Sequence, residues 1–245
     1  MQRLLIINPN TSASVTALLQ NHAQQSAGPN VIVTSVTARF GAPYIACEGS
    51  YAVATHATLD AWAATKSSGE VYDALLIGCF GDPGLFALQD ICSIPVTGLA
   101  QAAFIQAAKL GPFAIVTGGV RWKPMLQRLA QNLGFGNLLA GIHTVAQSGA
   151  ELARDPVAAQ QILTTCCEEA AARFGAKSIV LGGAGLAGMA ARIQPHIGLP
   201  VIDSVSAGVR HALAMPPGTA TKNGVFDFAW QNVSPELMST GYPTS

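Results

Sequence analysis

Hydrophobic residues along the chain form short uninterrupted runs, separated by longer, alanine-rich stretches in which apolar and polar positions mix. The short runs are typical of strands buried on both faces, and the mixed stretches are typical of helices that cover them. The predicted strands span 4–7, 31–36, 74–77, 95–97, 113–117, 178–181 and 200–202. The predicted helices span 14–27, 51–67, 100–109, 123–133, 156–174 and 204–214. This alternation predicts an α/β fold built on parallel sheets.

Two segments repeat one pattern of strand, glycine-rich turn, short helix and strand. The first reads Ala-Leu-Leu-Ile-Gly-Cys-Phe-Gly-Asp-Pro-Gly at 74–84, and the second reads Ser-Ile-Val-Leu-Gly-Gly-Ala-Gly-Leu-Ala-Gly at 178–188. Each is followed by a proline that opens the next strand, Pro95 and Pro200. The repeat predicts two similar lobes, each a short parallel sheet flanked by helices, related by a pseudo-two-fold axis and facing each other across a cleft.

The glycine turns are the expected place for chemistry, because ligands of parallel α/β folds bind at the carboxyl ends of strands. Both turns then meet at the cleft, and Cys79 in the first faces Gly183 in the second. Exposed backbone N–H groups in such a turn favour an anion, so we expect a lowered pKa for the Cys79 thiol. The alternative for Cys79 is a buried structural cysteine. The remaining thiols are interpreted as structural: Cys47, Cys92, Cys166 and Cys167.

Composition narrows the candidate partners. Thirteen basic residues balance thirteen acidic ones, which argues against nucleic acid and anionic membrane surfaces as partners. No apolar run spans a bilayer, and the first residues do not read as a secretory signal. Five cysteines without zinc-like spacing predict a cytoplasmic protein with free thiols and no metal site. Only 11% of residues are charged, and a tail from Pro216 carries Phe226, Phe228 and Trp230, which suits a homo-oligomer.

Six ordered motifs run through most of the chain: Ile-Asn-Pro-Asn-Thr-Ser (7–12), Gly-Cys-Phe-Gly-Asp-Pro-Gly (78–84), Pro-Val-Thr-Gly-Leu-Ala-Gln-Ala-Ala (95–103), Phe-Ala-Ile-Val-Thr-Gly (113–118), Leu-Gly-Gly-Ala-Gly-Leu-Ala-Gly (181–188) and Pro-Val-Ile-Asp (200–203). Together they resemble the hydantoin/allantoin racemase branch of the aspartate/glutamate racemase superfamily. The resemblance implies a racemase that needs no cofactor and acts on a small molecule with an acidic α-carbon. It also implies discontinuous lobes, with 1–97 and 205–245 forming lobe one and 98–204 forming lobe two.

The resemblance places two cysteines on opposite faces of the substrate, one removing the α-proton as a thiolate and the other delivering a proton. Cys79 matches the first, but Gly183 stands where the second is expected, and glycine cannot transfer a proton. Full racemisation is therefore expected to be impaired. Three interpretations stay open: an engineered racemase variant, a natural one-cysteine enzyme, or an enzyme in which water, His196 or His211 replaces the missing group. Arylmalonate decarboxylases of this superfamily also keep one cysteine, at the other position.

The resemblance also implies residues that bind substrate at the ends of the strands. They are Asn10, Thr11, Phe40, Phe80, Gly81, Thr117, Gly118, Ala184 and Gly185. Asn10 and Thr11 have an alternative role as caps of the next helix, and Phe40 has one as a core residue.

Two functions of other classes compete with a racemase. Gly183-Ala-Gly185-Leu-Ala-Gly188 after an apolar strand, with Asp203 twenty residues later, fits a dinucleotide-binding fingerprint. The first copy of the repeat has similar glycines but Thr97 in place of the acid, and Pro195 interrupts the helix that the fingerprint needs. A non-catalytic ligand-binding protein is the other alternative.

Overall fold

The chain folds around two four-stranded sheets in which every strand pairing is parallel. The computed structural model describes residues 1–217 and 229–241, so Phe226 and Phe228 of the aromatic tail lie outside the described residues. The strands are β1 (Gln2–Asn8), β2 (Val31–Thr37), β3 (Ala74–Ile77), β4 (Val96–Gly98), β5 (Phe113–Gly118), β6 (Leu139–Val145), β7 (Ser178–Gly182) and β8 (Val201–Asp203). Their order is β2-β1-β3-β4 in the first sheet and β6-β5-β7-β8 in the second. The predicted two-lobed α/β architecture is confirmed.

Helices cover the faces of both sheets. They are α1 (Ala13–Ala27), α2 (Glu48–Ser67), α3 (Leu85–Ile91), α4 (Leu99–Ala108), α5 (Trp122–Asn132), α6 (Gly149–Arg154), α7 (Pro156–Phe174), α8 (Met189–Ile193), α9 (Ser204–Ala214) and α10 (Pro235–Met238). Two short 3₁₀ turns, Ala184–Leu186 and Gln194–His196, flank α8. Within the described ranges, no helix has both the length and the apolar character needed to cross a membrane.

Strand β6 is the strand that the sequence analysis did not predict, and the short helices α6 and α10 were not predicted either. The sequence of β6, Leu-Ala-Gly-Ile-His-Thr-Val, contains no continuous apolar run, and only Ile142 and Val145 are buried. The strand lies at the edge of the second sheet, where one neighbour and partial exposure relax the demand for hydrophobic residues. By contrast, all residues of β3, β5 and β7 are buried, which is why their apolar runs are visible in the sequence.

One hydrophobic core joins the two sheets through α4. Phe104 on this helix stacks on Phe113 of β5 with ring centroids 5.3 Å apart, and Phe80 meets it edge-on at 5.9 Å. Helix α9 packs against α1, α4 and β3, and therefore returns the chain to the first sheet. The cleft between the sheets thus has a packed floor that fixes how the two sets of strand ends face each other.

Candidate active site

The carboxyl ends of both sheets open on one cavity. Cys79, directly after β3, and Gly183, directly after β7, both line it. The two strands hold equivalent positions in sheets of the same order, so the topology brings the two glycine turns together. The lining is made of apolar, glycine and neutral polar residues, and no charged side chain of the described residues belongs to it.

The cavity collects most of the residues expected from the sequence. Those that line it are Asn10, Cys79, Phe80, Thr117, Gly118, Gly183, Ala184 and Gly185. Three expected residues lie outside the lining. Thr11 donates its N–H to the Ala42 carbonyl (3.1 Å), and Phe40 packs edge-on against the His56 ring with centroids 4.9 Å apart. The third, Gly81, is covered by the Trp122 ring, so tightly that a side chain there would collide with it.

Seven further lining residues were not among the expected site residues: Val15, Tyr44, Ile45, Gly78, Trp122, Gly149 and Gly182. Tyr44 lies in the loop between β2 and α2, and Trp122 opens α5. Trp122 follows the Thr-Gly-Gly turn at the end of β5, and this position after a strand could have predicted it as a cavity residue. Nothing local marks Tyr44, because the atoms that it contacts come from distant parts of the chain.

Cys79 is a buried thiol with its side chain at the cavity wall. Burial raises the pKa of Cys79 above its ordinary value, and the nearby Asp82 carboxylate raises it further. The expected lowering of this pKa was therefore wrong. Its physical reason is visible in the turn: the N–H groups of Gly81 and Asp82 both donate to the Cys79 carbonyl oxygen (3.0 and 3.1 Å) and not to the sulfur. A thiolate formed here is a strong base.

Asp82 ties the first glycine turn to α4. Its carboxylate accepts the N–H groups of Ala100 (2.9 Å) and Gln101 (2.7 Å) in the first turn of that helix. Gly98 leaves the space that the carboxylate occupies, since a side chain at this position would collide with it. Burial raises the pKa of Asp82 to about 7, against the opposing effect of these hydrogen bonds.

Gly183 has a backbone that suits glycine. Its φ of 145° lies in a region that residues with side chains rarely adopt. Its N–H donates to the Ser204 hydroxyl (3.3 Å). An added Cβ would lie 3.4 Å from Leu186, so the position has room for a side chain even though its backbone does not favour one.

Several groups in the cavity wall can donate hydrogen bonds to a ligand. Asn8 and the Ser12 N–H both donate to the Asn10 side-chain oxygen (3.0 and 2.9 Å), and the amide N–H groups of Asn10, which lines the cavity, have no acceptor among the described residues. The Phe80 N–H has no hydrogen-bond partner among the described residues. The first N–H groups of the 3₁₀ turn Ala184–Leu186 also lack a partner within that turn.

The residues on which the competing interpretations depend have another structural role or lie outside the cavity lining. Both oxygens of Asp203 accept backbone N–H groups, from Gly188 and Ser206 (2.8 Å each), so the acid of the dinucleotide fingerprint serves as a helix cap. Neither His196 nor His211 lines the cavity. The donor atoms of His143, Cys166 and Glu169 lie within 4.8 Å of one another, but these residues are not part of the cavity lining.

Comparison with known proteins gives consistent matches over most of the chain. The profile of the family described as "Asp/Glu/Hydantoin racemase" matches residues 4–212. The chain is 35% identical over 213 residues to a hydantoin racemase of Paenarthrobacter aurescens, covering 86% of this chain and 89% of that protein. Among solved structures, it is similar to an allantoin racemase from Klebsiella pneumoniae (TM-score 0.82, 32% identity, 87% of each chain). It is also similar to one from Pseudomonas fluorescens (TM-score 0.83, 28% identity, 90% and 95% of the two chains).

Proposed function

Because this chain belongs to the Asp/Glu/Hydantoin racemase family, we propose that it catalyses proton transfer at the acidic α-carbon of a hydantoin-type or allantoin-type substrate. Cys79 is the group that removes and returns the α-proton, and no cofactor takes part. The ring of such a substrate acidifies its own α-proton, so a single thiolate of high basicity is a suitable base.

The uncharged cavity is the observation that carries this proposal. A free amino acid brings an ammonium and a carboxylate, each of which requires a charged or strongly polar partner once it leaves water. No lining side chain of the described residues is charged, whereas the ring and carbonyls of a hydantoin need only neutral donors. The same argument disfavours an arylmalonate-type decarboxylase, whose substrate carries two carboxylates. Glutamate and aspartate are disfavoured as well.

The enolate that follows proton removal needs donors already in place when its charge develops. Candidates are the Asn10 amide, the Phe80 N–H and the N–H groups that open the turn Ala184–Leu186, all at the cavity wall. Thr117 acts indirectly: its hydroxyl donates to the Gly182 carbonyl (2.8 Å) and so holds the turn that carries Gly183.

Gly183 limits what the enzyme does with the planar intermediate. Cys79 protonates it from one face only, so we propose slow racemisation and faster exchange of the α-proton in one enantiomer. The φ of 145° at Gly183 favours a natural one-cysteine enzyme over a racemase from which a thiol was removed, because a backbone built for cysteine has no need of this conformation.

Three further features belong to the same proposal. The lobes divide into 1–97 with 205–245 and 98–204, supported by the return of α9 to β3 and α1 of the first sheet. The protein is cytoplasmic, since its five cysteines are all free thiols. It is a homo-oligomer, which its low charged fraction of 11% supports.

A racemisation assay tests the proposal. Loss of optical rotation is followed for a 5-monosubstituted hydantoin, allantoin and glutamate, with the wild-type protein and with Cys79→Ala. The control is Cys167→Ala, which removes another buried thiol, from the core of the second lobe. We expect the wild-type protein and Cys167→Ala to cause a slow loss of optical rotation with a ring substrate and none with glutamate. Cys79→Ala is expected to show only the uncatalysed rate. Racemisation of glutamate, or full activity of Cys79→Ala, would refute the proposal.

A further inference from the structure

The Tyr44 phenol crosses the cleft from one lobe to the other. Tyr44 belongs to the loop that follows β2 of the first sheet, yet its hydroxyl donates to the Gly118 carbonyl (3.4 Å) at the end of β5. The same oxygen accepts the N–H of Gly149 at 3.3 Å. The ring therefore enters the cavity from the first lobe, and its reactive oxygen rests on the second.

The wall that the phenol touches is the one that carries Gly183. The Gly149 carbonyl lies so close to Gly185 that a Cβ there would be only 2.5 Å from it. Gly185 is two residues beyond Gly183 in the same turn, and all three glycines line the cavity with Tyr44. The phenol oxygen thus contacts Gly149, which packs against the turn from which a second thiol is missing, whereas Cys79 belongs to the turn of the opposite sheet.

The phenol and the Cys79 thiol are the two titratable side chains of the cavity lining in the part of the chain that the structure describes. We propose that Tyr44 is a second catalytic acid/base group, which exchanges a proton with the substrate face opposite Cys79. This inference rests on the proposed function. In one direction the Cys79 thiolate takes the α-proton and the Tyr44 O–H bond breaks as a new C–H bond forms. The enzyme is left with a Cys79 thiol and a Tyr44 phenolate, and the reverse direction uses that form.

The surroundings of the hydroxyl suit such a step. Burial raises the pKa of Tyr44, while hydrogen bonds from Gly149 and the Trp122 side chain oppose that rise. The Gly149 N–H, which donates to the phenol oxygen at 3.3 Å, stabilises the phenolate once the proton has left. Negative charge on Cys79 also raises the pKa of Tyr44, which keeps the phenol protonated while the thiolate is the base.

A tyrosine in the place of a thiol also accounts for slow racemisation. The net effect on the pKa of Tyr44 is upward, so the phenol gives up its proton less readily than an unperturbed one. Exchange at the Cys79 face does not involve this step. The two rates are therefore expected to separate, with exchange that retains configuration faster than inversion.

The test compares Tyr44→Phe with Tyr51→Phe. Tyr51 is a matched control because its hydroxyl also donates to a glycine carbonyl, that of Gly81 (3.0 Å), but it lies outside this cavity. Two rates are measured in D₂O with a 5-monosubstituted hydantoin: deuterium uptake with retained configuration, and racemisation. Circular dichroism confirms that both variants are folded.

We expect Tyr44→Phe to lower racemisation at least thirtyfold and to change retained exchange less than threefold, while Tyr51→Phe changes neither rate more than threefold. Unchanged racemisation in Tyr44→Phe would overturn the inference, because water or another group then delivers the second proton. Equal loss of both rates in a folded Tyr44→Phe would overturn it too, since Tyr44 would then serve binding. If the proposed function itself is wrong, the result differs, because the wild-type protein then shows neither racemisation nor deuterium uptake.

Discussion

The Cys79 thiol is buried beside a second acidic group, and this pair decides the protonation state of the active site. Burial and the Asp82 carboxylate both hold the pKa of Cys79 above its usual range. Reactivity toward substrate is therefore expected to increase with pH beyond neutrality, as the thiolate becomes populated. Cys47 differs: a hydrogen bond from Ser50 lowers the pKa of its half-exposed thiol, so alkylating reagents are expected to modify Cys47 before Cys79.

Replacing Asp82 with asparagine removes the negative charge that opposes the thiolate. The pKa of Cys79 falls when that charge is lost, so the alkaline rise in kcat/KM for deuterium exchange moves to lower pH. The variant also loses about 1–3 kcal/mol of unfolding free energy, because an amide cannot accept both N–H groups of α4. The pH profile between 7 and 10 and a denaturant titration check both effects. An unshifted profile in a folded variant would show that Asp82 does not control the thiol.

Gly183→Cys restores a thiol on the second wall of the cavity. The position has room, since Leu186 lies 3.4 Å from the added Cβ, but its φ of 145° must change at a cost of about 1–2 kcal/mol. Racemisation of a hydantoin is expected to rise at least tenfold, with a lower melting temperature. Gly198→Cys is the control, because a side chain there meets nothing within 4 Å. No gain over this control would mean that the two glycine turns do not face the same substrate atom.

At the scale of single elements, the strands that are buried on both faces are the most plainly visible in the sequence. The apolar runs of β3, β5 and β7 are visible because each strand lies inside its sheet or beneath helices. Edge strand β6 has no such run and was not predicted. The site residues also differ in how visible they are in the sequence. Cys79 and Gly183 could be predicted because they belong to glycine turns that repeat in the sequence. Tyr44, however, is placed by a contact with Gly149, 105 residues away.

The β7 turn is shaped by a ring from the other lobe. Phe80, which follows Cys79, lies against Gly182, and a Cβ at that position would collide with the ring. Gly182→Ala is therefore expected to displace Phe80 and to cost about 1–3 kcal/mol of stability. Exchange activity should fall as well, because the ring positions the turn that carries Cys79.

Chemical denaturation and the deuterium-exchange rate measure both effects of Gly182→Ala. Gly198→Ala is the matched control, since the added methyl group meets no atom within 4 Å. If Gly182→Ala matches this control in stability and rate, the close packing of Phe80 on β7 is not important to the site.

At the scale of the whole molecule, the two sheets have the same strand order and hold their active groups at equivalent ends. Their cleft has a shared floor in α4, so the two turns keep a fixed relation. Duplication alone would give two equivalent thiols. This chain instead has Cys79 on one side and, on the other, Gly183 in the same cavity wall as Gly149, whose N–H binds the Tyr44 phenol. The fold is symmetric and the proposed chemistry is not.

The central claim is that Cys79 transfers the α-proton of an uncharged ring from one face. Its most direct test is deuterium uptake at the α-carbon of each separate enantiomer of a 5-monosubstituted hydantoin in D₂O, corrected for the uncatalysed rate. We predict that the wild-type protein and Cys167→Ala label one enantiomer at least tenfold faster than the other, and that Cys79→Ala labels neither above background. Labelling of both enantiomers at equal rates by the wild-type protein, or undiminished labelling by Cys79→Ala, would contradict this account.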